Sequence, residues 1–135
     1  MSTLQRLKQA QKAAAQQQQV ISELNALVND IDRCQNSISS LKRELEAANS
    51  KYPGQRTTRE DIAYLTDLLE CARKKLAWEK QMTSLQKRTP LLLEKMNQLF
   101  HDAQNPPTEE LREQMVRALQ SVQTAMEGLQ AARVE

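Results

Sequence analysis

An unbroken heptad repeat begins at Val20 and continues to Ala48 in this 135-residue chain. Apolar residues fill its successive core positions without a polar interruption. The a positions are Leu24, Ile31, Ile38 and Leu45, and the d positions are Leu27, Cys34, Leu41 and Ala48. A seam this regular is typical of a coiled-coil surface rather than of an ordinary amphipathic helix.

Three short segments interrupt an otherwise helical pattern. The first is Tyr52-Pro53-Gly54-Gln55, where Pro-Gly suits the central positions of a type II turn. The second is Thr89-Pro90, which fits either the start of a new helix or a kink in a continuous one. The third is Asn105-Pro106-Pro107-Thr108. The predicted elements are a helix over about 3–50, a turn over 51–57, a helix over about 58–104 and a helix over about 109–132.

The second predicted helix carries an apolar stripe of its own. Its members are Ile62, Leu65, Leu69, Ala72 and Leu76, with Leu68 alongside. The strict heptad then meets Glu79, and Trp78, Met82 and Leu85 resume the stripe at a shifted phase. Because a stutter of this kind changes the local supercoil without ending a helix, we expect the second helix to continue through it.

The predicted elements are all helices, so we expect an all-α fold. Aromatic residues make up only 3% of the chain, which disfavours a thick globular core. A short turn at Pro53-Gly54 would fold two arms of about 70 Å into a long antiparallel helical hairpin of coiled-coil type. The third, C-terminal helix is shorter. It would form a partial three-helix bundle at the open end and leave the tip two helices thick.

Residues suited to catalysis or metal binding are scarce. His101 is the single histidine, and the two cysteines, Cys34 and Cys71, have no metal-ligand spacing. Gly54 and Gly128 are the only glycines, so no Gly-rich phosphate loop exists. We therefore predict a protein that is not an enzyme and that has no cofactor and no metal site.

The charge and hydropathy of the chain bear on its cellular compartment and on contact with membranes. The formal net charge is +2, and no apolar run approaches the length of a membrane span. The N-terminus lacks a basic segment followed by an apolar stretch, so no signal peptide is predicted. We expect a cytoplasmic protein without membrane contact, although a nuclear protein would have the same features.

The wide apolar stripes favour an adaptor or assembly subunit that binds a helical protein partner, either as a homodimer or in a hetero-oligomer. The residues predicted to carry this binding lie on the two facing arms near the hairpin tip. They are Ile31, Ile38, Leu41, Leu45, Ile62, Leu65, Leu68 and Leu69.

A basic stripe on the second helix supports an alternative, a nucleic-acid-associated accessory factor. Its candidate contacts are Arg73, Lys74, Lys80, Lys87 and Arg88, three of which recur at a spacing of seven. No aromatic residues are interleaved with them, which disfavours single-strand binding by stacking. A third alternative is a small helical regulator or chaperone of another protein, which would have the same sequence pattern.

Overall fold

The computed structural model describes residues 2–134, which form three helices. They are α1 (Thr3–Lys51), α2 (Thr58–Phe100) and α3 (Glu109–Val134). No strand occurs within residues 2–134. The all-α prediction is confirmed.

Each helix begins at a side-chain cap that the local sequence provides. Ser2 and Gln5 form a capping box at the start of α1, and Thr57 and Glu60 form another at the start of α2. At the start of α3, Oγ1 of Thr108 accepts a 3.2 Å hydrogen bond from the backbone N–H three residues later. These contacts satisfy backbone donors that have no partner within the helix.

The breaks predicted from proline and glycine have different outcomes. Gly54 has a φ of +72°, as the second central position of a type II turn requires. Pro90 lies inside α2, so the helix continues through it. The second helix ends at Phe100 rather than near residue 104. The Asp102 side chain stabilises the turn that follows, because its Oδ1 accepts hydrogen bonds from the backbone N–H groups of Gln104 and Asn105, at 2.9 and 3.1 Å.

Ion pairs along one flank of the hairpin show that α1 and α2 are antiparallel. Nζ of Lys95 lies 3.7 Å from Oε2 of Glu23, and Nη2 of Arg88 lies 2.7 Å from Oδ2 of Asp30. Further toward the turn, Nζ of Lys74 lies 2.7 Å from Oε1 of Glu44. All six residues occupy g positions of the two helices. Pairing of g with g is what an antiparallel coiled coil produces, and it helps to fix orientation and register.

The third helix lies on the opposite flank of α1 and runs parallel to it. Near the start of this contact, Nε2 of Gln17 donates a 3.1 Å hydrogen bond to the carbonyl oxygen of Asn105. Near its end, Nζ of Lys42 donates to the carbonyl oxygen of Ala132. The contact therefore stops level with Lys42, while α1 continues to Lys51.

One apolar core joins the three helices, and α1 supplies its centre. The most deeply buried side chains come from α1 and α3: Val20, Leu24, Leu27, Ile31, Cys34, Met115, Val122 and Leu129. Beyond this core at the other end, residues 2–12 of α1 are all exposed, including Leu4 and Leu7. The partial three-helix bundle thus occupies the middle and open end of the hairpin, and the turn end is two helices thick.

Candidate protein-binding surface

Near the turn, the face of α2 that packs in the hairpin is not the one with the most leucines. Buried or half-buried residues recur at alternating spacings of three and four, with exposed Lys75 in one core position. They are Tyr64, Leu68, Cys71, Trp78, Met82, Leu85, Thr89, Leu92, Met96 and Leu99. The predicted seam and its stutter at Glu79 are therefore wrong, because one continuous register runs through the whole helix.

The stripe predicted to lie in the seam faces solvent instead. Ile62 is 62% exposed, Leu65 63%, Leu69 56% and Leu76 60%. Ala72, which lies between them at the same spacing, is also exposed. We call these five residues the tip stripe, since they cover α2 from near its start to the level of Lys74.

The tip stripe lies on the same flank of the hairpin as α3. In the observed register of α2, its members occupy the e and b positions, which are neighbours around a helix that turns 100° per residue. The g flank carries the ion pairs, so the e positions of α1 and α2 share the other flank. Two e residues of α1, Gln35 and Lys42, contact α3. On α2, the e residue Phe100 stacks under Arg112 of α3, with the guanidinium carbon 4.5 Å from the ring centroid.

It follows that α3 fills only part of a longer groove. The groove follows the e flank of the hairpin. Along it, α3 packs on α1 from the open end to Lys42 and contacts α2 at the open end, while Glu79 and Gln86 of α2 stay exposed. Beyond that level the same groove continues to the turn between α1 and the tip stripe. Leu45 of α1 occupies a core position there, yet it is 41% exposed. The uncovered part of the groove thus presents Leu45 and the tip stripe to solvent near the turn.

The predicted binding residues divide into two groups. Ile31, Ile38 and Leu41 are buried in the chain's own core, so the packing of this chain already covers them. Leu68 is half-buried in the α1–α2 seam. The remaining predicted residues, Leu45, Ile62, Leu65 and Leu69, are exposed and line the uncovered groove.

The predicted basic residues divide in a similar way. Lys74 and Arg88 form the inter-helix ion pairs with Glu44 and Asp30. The hydrogen bond that Lys74 donates to the Glu44 carboxylate raises the pKa of Lys74. These two cations therefore have a role inside the fold.

By contrast, Arg73, Lys80 and Lys87 are exposed on an adjoining edge of α2. Arg73 has only a long contact of 4.0 Å with Glu70 of its own helix. All three occupy f positions, and f lies next to b around the helix. Two of them, Arg73 and Lys80, therefore form a basic edge beside the tip stripe.

The groups able to support chemistry are dispersed. Cys34 and Cys71 are buried free thiols. Burial raises the pKa of the Cys34 thiol, and Trp78 partly offsets that effect. His101 follows the last residue of α2, and its ring centroid lies 5.2 Å from that of Phe100. Among residues 2–134, no cluster of three or more His, Cys, Asp or Glu side chains could hold a metal ion.

Comparison of the chain with known protein families, curated proteins and solved structures gives no match. In the part of the chain that the structure describes, none of the helices has the length and hydropathy needed to cross a membrane. The function proposed for this surface is therefore based on its geometry.

Sequence reasoning found the residues of this surface but placed them in the wrong contact. The signal that separates the two faces of α2 lies beyond the tip. Between Trp78 and Met96 the core spacing is unambiguous, and extending it back toward the turn predicts Cys71 and Leu68 as core positions and leaves Leu65 and Leu69 outside.

Proposed function

We propose that this protein is a non-enzymatic helical interaction protein that binds a protein partner through the tip stripe. The observation that carries the proposal is the exposure of four large aliphatic side chains, each more than half accessible, at heptad spacing on one face of α2. Contiguous apolar surface of this kind marks interaction sites on folded proteins. The compartment we propose is the cytoplasm or the nucleus, where thiols such as Cys34 and Cys71 stay reduced.

The spacing of these residues distinguishes them from ordinary exposed leucines. Single apolar side chains on a surface are common and need no explanation. Leu91 is an example, since it is 68% exposed but has no comparably exposed large aliphatic neighbour one helical turn away. Ile62, Leu65, Leu69 and Leu76 instead repeat at intervals of three, four and seven, which is the pattern by which a helix presents anchors to another helix.

The experiment is affinity capture from the native host, followed by mass spectrometry, with three forms of the protein. They are the wild type, a double variant Leu65→Gln/Leu69→Gln, and a control Leu91→Gln that alters an equally exposed leucine outside the stripe. We expect a partner that is retained by the wild type and the control and is lost with the double variant. A partner set that is unchanged in the double variant, with its helical spectrum intact, would reject the proposal.

A second candidate function is electrostatic binding of nucleic acid. The observation in its favour is the exposure of Arg73, Lys80 and Lys87 at a spacing of seven on one helix edge. Its test is a mobility shift with duplex DNA and with RNA over a range of salt concentrations. Glutamine substitution of all three residues should abolish a shift and its salt dependence, and the absence of a shift at low salt would remove this candidate.

A further inference from the structure

The exposed groove at the tip has a defined relation to the groove that α3 occupies. Both lie on the e flank of the same hairpin, and they meet at the level of Lys42. At the open end, the side chains of α3 complete a three-helix core with α1 and α2. At the tip, no helix among residues 2–134 covers the tip stripe and Leu45.

The shape of this groove is therefore known from its occupied part. An α-helix lies there parallel to α1, and it uses apolar residues at alternating spacings of three and four: Met115, Ala118, Val122, Ala125 and Leu129. A helix placed in line with α3 would continue along α1 past Leu45 and would lie beside the tip stripe of α2. The stripe from Ile62 to Leu76 is about 21 Å long, or about four helical turns.

The charges beside the groove restrict what that helix can be. On the α2 side, the stripe is bordered by the f positions, where the charged residues are Arg59, Arg73 and Lys80. The exposed acid Glu79 occupies the e position just beyond Leu76. Lys75, which is also exposed, occupies a core position of the heptad nearby. On the α1 side the nearest acid is Glu46, which is exposed at a b position. The α2 side of the groove therefore favours an occupant with acidic residues on that flank.

A second copy of this chain does not meet that requirement. Pairing the tip stripe with itself in an antiparallel arrangement, about a two-fold axis perpendicular to the helices, would bring the f edge against the same basic edge. The exposed leucines near the N-terminus, Leu4 and Leu7, are accompanied by Arg6, Lys8 and Lys12 without an acid. Both arrangements place like charges together, which is unfavourable at helix flanks.

We propose that the tip groove binds an amphipathic helix of another protein, about four turns long, with acidic residues along the flank that faces Arg73 and Lys80. The helix lies in line with α3 and completes a three-helix bundle at the turn end of the hairpin. This inference rests on the proposed function and adds the chemistry of the partner to it.

The test uses two designed, fluorescein-labelled helical peptides as probes. Both have leucines at a and d positions over four turns, and they differ only in carrying glutamate or lysine at the flanking positions. Binding to the full chain is measured by fluorescence anisotropy at low and high salt. We expect the glutamate peptide to bind at least about 10-fold more tightly at low salt, with a difference that shrinks as salt screens the charges.

Matched variants assign the binding to the groove. Leu65→Gln/Leu69→Gln should weaken binding of the glutamate peptide at least about 10-fold, whereas Leu91→Gln should not. Arg73→Glu/Lys80→Glu should reverse the preference in favour of the lysine peptide. Lys87→Glu reverses one charge on the same edge, but beyond the stripe, and it should leave the preference unchanged. Circular dichroism of every variant verifies that the helices are retained.

Several results would overturn the inference. Equal binding of the two peptides, or a preference that Arg73→Glu/Lys80→Glu leaves in place, would reject the acidic flank. Sedimentation equilibrium that shows a dimer in the wild type and a monomer in Leu65→Gln/Leu69→Gln would identify the occupant as a second copy. Duplex DNA that binds through Arg73 and Lys80 and displaces the glutamate peptide would assign the edge to nucleic acid. A native partner that is captured through Leu65 and Leu69 but is indifferent to the charge reversal would reject this inference and leave the proposed function standing.

Discussion

A Cβ atom on Gly128 would lie 2.8 Å from Oε1 of Gln35, so α3 approaches α1 closely at a position where α3 has no side chain. Gln35 occupies an e position of α1 on the flank that faces α3. The obstructing atom is the end of a flexible side chain rather than backbone, and Gln35 is only half-buried. A side chain at position 128 can therefore be accommodated, because rotation of Gln35 makes room for it.

The first prediction is that Gly128→Ala stabilises the protein. Alanine favours a helix over glycine by about 1 kcal/mol, and movement of the Gln35 amide should use up only part of that gain. Urea unfolding followed by circular dichroism should show a free energy of unfolding higher by up to about 1 kcal/mol. The contrasting variant is Gly54→Ala, which should be destabilising by about 1–2 kcal/mol because the φ of +72° is strained for alanine. A loss of stability in Gly128→Ala would mean that Gln35 is fixed in place.

The second prediction concerns the buried hydroxyl of Thr89. Its Oγ1 is buried in the seam without a hydrogen-bond partner in the described part of the chain. Thr89→Val keeps the shape and removes the unpaired hydroxyl, so we expect the free energy of unfolding to rise by about 1 kcal/mol. Thr66→Val is the control, since Oγ1 of Thr66 donates a 2.7 Å hydrogen bond to the Ile62 carbonyl at an exposed site. That variant should change stability by less than about 0.5 kcal/mol.

The third prediction is a loss of stability at alkaline pH that depends on Cys34. Burial raises the pKa of this thiol in the folded protein, above the value of about 8.5 expected for an unfolded chain. Its contribution is fully present below the unfolded pKa and is lost as the pH rises through the folded pKa, because the unfolded chain ionises first. Urea midpoints between about pH 8 and pH 10 should therefore fall less steeply in Cys34→Ala than in the wild type. Cys71→Ala controls for the loss of a buried thiol, and equal slopes in all three proteins would contradict the prediction.

The fourth prediction concerns the ion pairs on the g flank. Arg88 and Asp30 are 2.7 Å apart, and both side chains are partly exposed. Because solvent screens such pairs, a double-mutant cycle with Asp30→Asn and Arg88→Gln should give a coupling energy of only about 0.2–1 kcal/mol. The swapped variant Asp30→Arg/Arg88→Asp should be more stable than either of its single changes. A coupling energy near zero would show that this ion pair does not help to fix the antiparallel orientation.

The sequence predicts the helices of this fold better than it predicts how they pack. Caps such as Thr57 and the Pro53-Gly54 turn act over a few residues, so local sequence is enough to place them. The α1 seam is also predictable, because its core positions contain only apolar residues. The end of α2 was missed because it depends on hydrogen bonds that the Asp102 side chain accepts from the backbone of the following loop.

The register of α2 near the tip was misassigned for a different reason. Two heptad patterns coexist there, and the one with more leucines faces solvent. The pattern that packs contains Cys71, Lys75 and Thr89, which lower its apparent hydrophobicity. A single helix cannot indicate which of two apolar faces its neighbour covers. That choice is made by contact with α1 and by the long continuous seam beyond Trp78.

The final prediction tests this register directly by comparing two leucines of α2. Leu85 is 4% exposed in the seam, whereas Leu69 is 56% exposed on the tip stripe. Leu85→Ala should reduce the free energy of unfolding by about 2–5 kcal/mol, because it removes buried methylene groups and leaves a cavity. Leu69→Ala should change it by no more than about 0.5 kcal/mol, since no packing is lost within the chain. If Leu69 were in the seam, as its heptad spacing first suggests, the two substitutions would be similarly damaging. Urea unfolding of both variants therefore distinguishes the registers. A large loss of unfolding free energy in Leu69→Ala would mean that the tip stripe is part of the core, and the tip groove would then have no apolar face.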